Sequence, residues 1–126
     1  MRTAPIRKKV LVVDDDVDTS ELIAHVLRVD YEVLLARDGI EGIEQAAKGH
    51  PDLVITDVDM PRLGGLAMVR LLRAEQGLCV PIIFVSGRGT AQDIIAGIGA
   101  GARHYLTKPV VLPDLRERVD LLLSRK

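Results

Sequence analysis

The chain has no tryptophan and only three aromatic side chains, Tyr31, Phe84 and Tyr105. The stacking platforms on which single-stranded nucleic acids are bound are therefore missing. A single cysteine, Cys79, excludes an internal disulfide, fits a reducing compartment and is expected to pack as a small hydrophobe. Charge of one sign is lacking too: 17 Lys and Arg against 18 Asp and Glu leave a formal net charge of -1. No global field draws such a chain to phosphate backbones or anionic lipid, so no direct nucleic-acid partner and no membrane association is expected. Arg7, Lys8 and Lys9 read as a solvated flank of the first strand. The apolar run Val10 to Val13 is too short for a secretory signal, which needs about 7 to 15 apolar residues, and nothing approaches the ~20 residues of a membrane span. A cytoplasmic location follows. His25, His50 and His104 share no metal-ligand spacing, which places them by default on the surface.

What is present is an aliphatic core. Apolar residues make up 48% of the 126 and charged residues 28%, the balance of a folded globule, and domains usually run about 100 to 150 residues. One domain over residues 1–126 is expected, with its core at about 9–124, no linker, no repeat, and an end that coincides with the last helix, leaving no room for an output domain. Short β-branched runs alternate five times with helix-period segments. The strands are expected at Lys9 to Val13, Tyr31 to Ala36, Leu53 to Thr56, Pro81 to Val85 and Arg103 to Leu106. In "SELIAHVLR" the apolar Leu22, Ile23, Val26 and Leu27 recur at helical spacing, and Asp18 with Glu21 fits a capping box at the start of that helix. Gly49 is placed as the stop of the second helix. Strict strand-helix alternation predicts an α/β fold, a doubly wound parallel sheet with helices on both faces.

In open sheets of this kind ligands sit outside the carboxyl ends of the strands. Asp14 and Asp15 end the first strand, Asp57 the third and Ser86 the fourth, and Lys108 follows the fifth. Neighbouring carboxylates raise one another's pKa and titrate together unless a cation intervenes. Magnesium suits such a group because it takes hard oxygen ligands and binds through one or two carboxylates together with a phosphate oxygen. Lys108 adds a compact positive charge and Ser86 a hydroxyl. A carboxylate beside metal, ammonium and hydroxyl is arranged to receive a phosphoryl group, a transfer that depends on positioning and charge neutralisation.

The stretches "VLVVDDD", "PDLVITDVDMP", "VSG" and "YLTKP" occur in this order, and through them the chain resembles the receiver domains of bacterial two-component response regulators, from about Lys9 to the last helix. The resemblance implies a flavodoxin-like sheet of order 2-1-3-4-5 with five helices, and Asp57 as phosphoacceptor for a histidine kinase or phosphotransfer protein. It implies direct magnesium ligation by Asp15 and Asp57, with Asp14 acting through water, Asp59 giving its backbone carbonyl, and manganese as a substitute. Lys108 would pair with the acceptor and then its phosphate. Ser86 would move to the new oxygens, and Tyr105 would rotate inward with it, switching the surface of the fourth helix, fifth strand and fifth helix. A cis Lys108–Pro109 peptide is expected. Such a domain is a signalling switch that assists its own phosphotransfer and autodephosphorylation. It serves a downstream protein target or a fused output domain, as a monomer or a weak, phosphorylation-dependent dimer.

Four positions call for expectations of their own. Where the family has Pro, Gly, any residue, Asp, Gly after the acceptor, this chain has Pro61 to Gly65 with Arg62 and Gly64; loss of the aspartate should loosen the loop. Asp59 and Arg88, each two residues beyond a site residue, would pair across the mouth and set the lifetime of the phosphorylated state. Gly97 and Gly99 predict a short or frayed fourth helix. Arg103 and His104 stand where dimerising relatives commonly carry acidic residues, so that dimer contact does not carry over with the resemblance. Two rivals remain: a receiver-like adaptor not regulated by phosphorylation, and a haloacid-dehalogenase-like phosphatase, whose nucleophile precedes its acidic pair, the reverse of the order here. Asp16 is expected to face solvent or to help start the first helix.

Overall fold

The computed structural model describes residues 7–124; the outermost ends of the expected domain, 1–6 and 125–126, lie outside the described residues. The chain order is β1 (Lys9–Val13), α1 (Val17–Leu27), β2 (Glu32–Ala36), α2 (Gly39–Gly49), β3 (Leu53–Thr56), α3 (Gly65–Gln76), β4 (Ile82–Ser86), α4 (Ala91–Gly99), β5 (His104–Thr107) and α5 (Leu112–Leu123). All strand pairs are parallel, in the order β2-β1-β3-β4-β5, the doubly wound sheet the alternation demands. β2, β4 and β5 begin one residue later than expected. Pro81 has no N–H for the ladder, and its carbonyl only accepts from Val54 at 3.0 Å.

Strand alternation divides the core into two layers. Val10, Val12, Ile55, Ile83 and Val85 pack with Ile23 and Leu27 of α1 and with Leu115 and Val119 of α5. Leu11, Val13, Val54, Ile82 and Phe84 pack with Ala46 of α2 and with Met68, Val69 and Leu72 of α3. Covered on both faces, such side chains stabilise the fold by about 1.5–3 kcal/mol each, an upper bound because denatured chains also bury surface. Val13 stands opposite both Ala36 and Thr56, so β1 and β3 end side by side. Among the described residues no helix is long and apolar enough to cross a membrane.

Several local expectations change. α1 starts from Asp16, not from a box at Asp18: Asp16 is extended (φ -83, ψ 103) and accepts from the Asp18 N–H, with the Thr19 hydroxyl adding a 2.7 Å bond. The third aspartate of "DDD" therefore begins the helix while the first two face the sheet edge. The left-handed residue after α2 is His50 (φ 51), not Gly49. A Cβ at Gly49 would lie 2.3 Å from Leu34 Cδ1, so a larger residue there would require that side chain to turn aside. Lys9 is not merely solvated, since its ammonium donates to the Gly49 carbonyl at 2.9 Å, against the negative end of α2. Cys79 is exposed rather than packed, because Leu78 and Val80 take the inward positions of its loop. His25 and His50 are exposed, but His104 is half-buried under α5, with Nδ1 3.1 Å from Arg118 Nη1. Burial, then the charges of Arg118 and Arg103, lower its pKa.

Candidate functional site

The β1 and β3 ladders carry two carboxylates to one edge. The Asp14 N–H donates to Ala36 and the Asp57 N–H to Val13, both at 3.0 Å, so each aspartate leaves the sheet from a fixed backbone. Asp14 and Asp57 are only 3% and 7% exposed, which is unusual for carboxylates without partners. Asp15 beside them is exposed, and carboxylate oxygens of Asp14, Asp15 and Asp57 all lie within 4.8 Å of one another.

Lys108 answers part of this charge. Its Nζ is 3.0 Å from Asp14 Oδ2 and 3.0 Å from Asp57 Oδ2. The Lys108–Pro109 peptide is cis, and the Lys108 N–H donates to the Ser86 carbonyl at 2.8 Å, which ties the lysine to the end of β4. Burial acts to lower the Lys108 pKa, but hydrogen bonds to Asp57 and Asp14 outweigh it and the net shift is upward. Burial raises the Asp14 pKa despite a bond from the Asp16 N–H and the nearby ammonium, and the Asp57 charge adds to the rise. One ammonium between two buried carboxylates, with a third at the rim, leaves a negative excess of hard oxygen donors. That donor set fits a small divalent cation.

The remaining sequence-selected residues gather around the same edge. Ser86 is fully buried, and its Oγ accepts from the Arg88 N–H at 3.1 Å. The Asp59 N–H donates to Asp57 Oδ1 at 3.2 Å. The side chains of Asp59 and Arg88 form an exposed ion pair, joining the β3–α3 loop to the β4–α4 loop across the mouth. The Tyr105 hydroxyl donates to the Arg88 carbonyl at 2.6 Å, and its ring tilts against Phe84 with centroids 6.1 Å apart. Asp14, Asp15, Asp57, Asp59, Ser86, Arg88, Tyr105 and Lys108 thus gather at one edge, and Arg88 links three of them: it touches Ser86 through its N–H, Tyr105 through its carbonyl and Asp59 through its guanidinium.

The loop after Asp57 differs from expectation. The missing aspartate should have loosened it, yet the loop is fastened at several points. Gly65 N–H bonds the Val58 carbonyl at 2.9 Å and Gly39 N–H bonds the Leu63 carbonyl at 3.0 Å. Arg62 Nε donates to Asp38 Oδ2 at 2.8 Å, and its Nη2 lies 2.8 Å from the same oxygen. Arg62 has φ 69, a left-handed conformation that costs a non-glycine residue ~1 kcal/mol or more. Sequence reading missed this pair. Asp38 before Gly39 signals only a helix cap, and no local pattern links it to a residue 24 positions away.

Comparison with known proteins follows the same lines. The family model of the response regulator receiver domain matches residues 10–120. The transcriptional regulatory protein PrrA of Mycobacterium tuberculosis is 41% identical over 127 residues, which cover 100% of this chain and 54% of PrrA. Response regulator MprA of Mycobacterium ulcerans is 42% identical over 118 residues, 93% of this chain and 50% of MprA. The chain spans about half the length of these curated relatives. Among solved structures, the receiver domain of Francisella response regulator 1452 superposes with a TM-score of 0.85 at 31% identity, covering 92% of this chain and 96% of that one. The chemotaxis response regulator CheY4 of Vibrio cholerae gives a TM-score of 0.85 at 31% identity, over 93% of this chain and 99% of its own.

Proposed function

The chain belongs to the response regulator receiver domains of two-component systems, and from that premise we propose that it works as a phosphorylation-controlled switch with Asp57 as acceptor. One observation carries the reading: the buried Asp57 carboxylate shares the Lys108 ammonium with Asp14, both at 3.0 Å, beside the exposed carboxylate of Asp15. An acceptor so placed is oriented, by the Asp59 N–H on one oxygen and the Lys108 ammonium on the other, with positive charge ready where phosphoryl oxygens arrive.

In the proposed step an Asp57 oxygen attacks phosphorus, the bond from phosphorus to the donor's histidine nitrogen breaks, and an acyl phosphate remains on Asp57. Asp15, Asp57 and the Asp59 carbonyl would hold magnesium, or manganese in its place, with Asp14 in support. Bound there, the ion neutralises charge on the phosphoryl oxygens. Lys108 follows the charge from the carboxylate to the phosphoryl group. Ser86 gives up its bond from the Arg88 N–H and donates its own hydroxyl to a phosphoryl oxygen. Because Arg88 also holds Tyr105 and Asp59, the move of Ser86 reaches α4 and β5 through one residue, and the Asp59–Arg88 pair governs how water reaches the acyl phosphate. A phosphoryl group can only favour one of two states already close in energy.

Receiver domains are signalling switches rather than metabolic enzymes, and the product here is a changed surface over α4, β5 and α5. We place the single domain over residues 1–126 in the cytoplasm, serving a downstream protein or an output domain, as a monomer or a weak dimer. Incubation with magnesium and acetyl phosphate, followed by intact mass, tests the central step. Labelling of the parent chain and not of Asp57→Asn is expected; no labelling of the parent would remove the proposal and favour an adaptor that is not modified.

A further inference from the structure

We propose that Arg62 is a positioning residue for the divalent-cation site: its pairing with buried Asp38 fixes the β3–α3 loop and so fixes where the Asp59 backbone stands relative to Asp57. The proposal rests on the reading of the acidic cluster as a cation site. Three observations carry it. Arg62 is one of two non-glycine residues with positive φ among the described residues, at 69°, so its backbone is held in a conformation an arginine does not choose. Its guanidinium reaches out of the loop to Asp38, whose side chain is 9% exposed and whose Oδ1 accepts from the Glu41 N–H at 2.9 Å as the cap of α2. Asp38 thus joins two structures with its two oxygens, the first turn of α2 through one and the acceptor loop through the other.

The loop has no slack in which to absorb a loss of that anchor. Its ends close on themselves through the Gly65 bond to Val58, and its tip is held by the Gly39 bond to Leu63. A Cβ at Gly39 would lie 2.4 Å from the Leu63 carbonyl oxygen, which shows how closely α2 and the loop tip approach. Between these fixed points lie Asp59, whose N–H donates to Asp57 Oδ1, and Met60 and Pro61. If Arg62 relaxes to negative φ, the peptides between Val58 and Leu63 must turn with it, and the oxygen set around Asp57 changes. Arginine is suited to the task because its rigid guanidinium keeps two donors on one acceptor oxygen, whereas lysine offers a mobile point charge.

The test uses the whole chain and Mn2+ alone, read by electron paramagnetic resonance as free against bound ion, together with amide exchange at Gly39 and thermal unfolding. Arg62→Ala removes the pair and keeps the left-handed strain, so its backbone is free to relax, and thermal unfolding separates positioning from stability. Arg62→Ala and Asp38→Asn should each weaken Mn2+ binding about tenfold, the low end of what loss of a supporting group costs a metal site. The double variant should lose no more than either single one, Arg62→Lys should recover part of the affinity, and the Gly39 amide should exchange faster in both single variants. Parent binding with unchanged affinity in Arg62→Ala would overturn the proposal and leave the cation site standing. Absence of Mn2+ binding by the parent chain would overturn both.

Discussion

Two loops flank the acidic edge of the sheet, and they are built in opposite ways. The β3–α3 loop is closed by Gly65, fastened to α2 by Gly39 and Arg62, and backed by helices in close approach: a Cβ at Gly42 of α2 would lie 2.5 Å from Met68 Sδ of α3. The β4–α4 loop hangs on Arg88. The helix it leads to, α4, has nine residues, buries only Gly97, and is closed at its N-terminus by the Thr90–Asp93 capping box. It leaves Ile95 70% and Ile98 46% exposed. Beside Arg88 a groove of about 370 Å³ lined by Leu66, Ala67, Ala96 and Tyr105 separates α3 from α4. One wall is tied at several points and holds Asp57; the other buries only Gly97 of α4 and, under the proposed function, would carry the response. Local stability differs within folds in this way, and moving parts come from the weaker end.

Adding a methyl group to each wall should break the comparison most visibly. In Gly65→Ala the new Cβ would stand 2.0 Å from the Asp57 carbonyl oxygen, so backbone must shift, and we expect a loss of about 1–3 kcal/mol in urea unfolding with impaired labelling of Asp57. Gly99→Ala in α4 meets nothing within 4 Å. There alanine should stabilise by up to ~1 kcal/mol through helix propensity and slow amide exchange across α4. A destabilised Gly99→Ala, or α4 amides that exchange as slowly as those of α2 in the parent, would contradict the assignment of α4 as the mobile wall.

Smaller effects sharpen the contrast. Cutting the side-chain pair that joins the two loops, by Asp59→Asn or Arg88→Ala, should change the autodephosphorylation rate by about tenfold or less, a difference of up to ~1.4 kcal/mol in barrier, while leaving Asp57 labelled. Unchanged rates in both variants would show that the pair does not control water. The last effect concerns pH. The Asp38 carboxyl is held below its ordinary 3.8 by the Glu41 N–H and then by Arg62. A lowered pKa in the fold adds stability that is present above 3.8 and is lost as pH falls through the lowered value. Asp38→Asn, which keeps a capping oxygen, should therefore be less stable than the parent at neutral pH, with the gap closing under acid. A gap that widens below pH ~4 would contradict the pairing.

Much of this was legible from residue order. Five apolar runs with alternating helices fix a parallel sheet, and the sheet rule then collects Asp14, Asp15, Asp57, Ser86 and Lys108 at one edge. The Asp59–Arg88 pair could be read because both residues lie two positions beyond residues already placed. The Arg62–Asp38 anchor could not, since loops far apart in sequence meet without any periodicity to announce it. Helix starts were legible only in part: Asp16 and Asp18 carry the same side chain, and backbone conformation alone selects the cap. His104 was misjudged because a polar residue in an edge strand gives no sign of which helix will cover it.

The central claim is that the buried Asp57 carboxylate beside Lys108 is the group that becomes phosphorylated. Intact mass after exposure to magnesium and acetyl phosphate should show one phosphoryl adduct on the parent, none on Asp57→Asn, and none on the parent when the cation is chelated. An adduct that persists in Asp57→Asn, or a parent that stays unmodified, would contradict it.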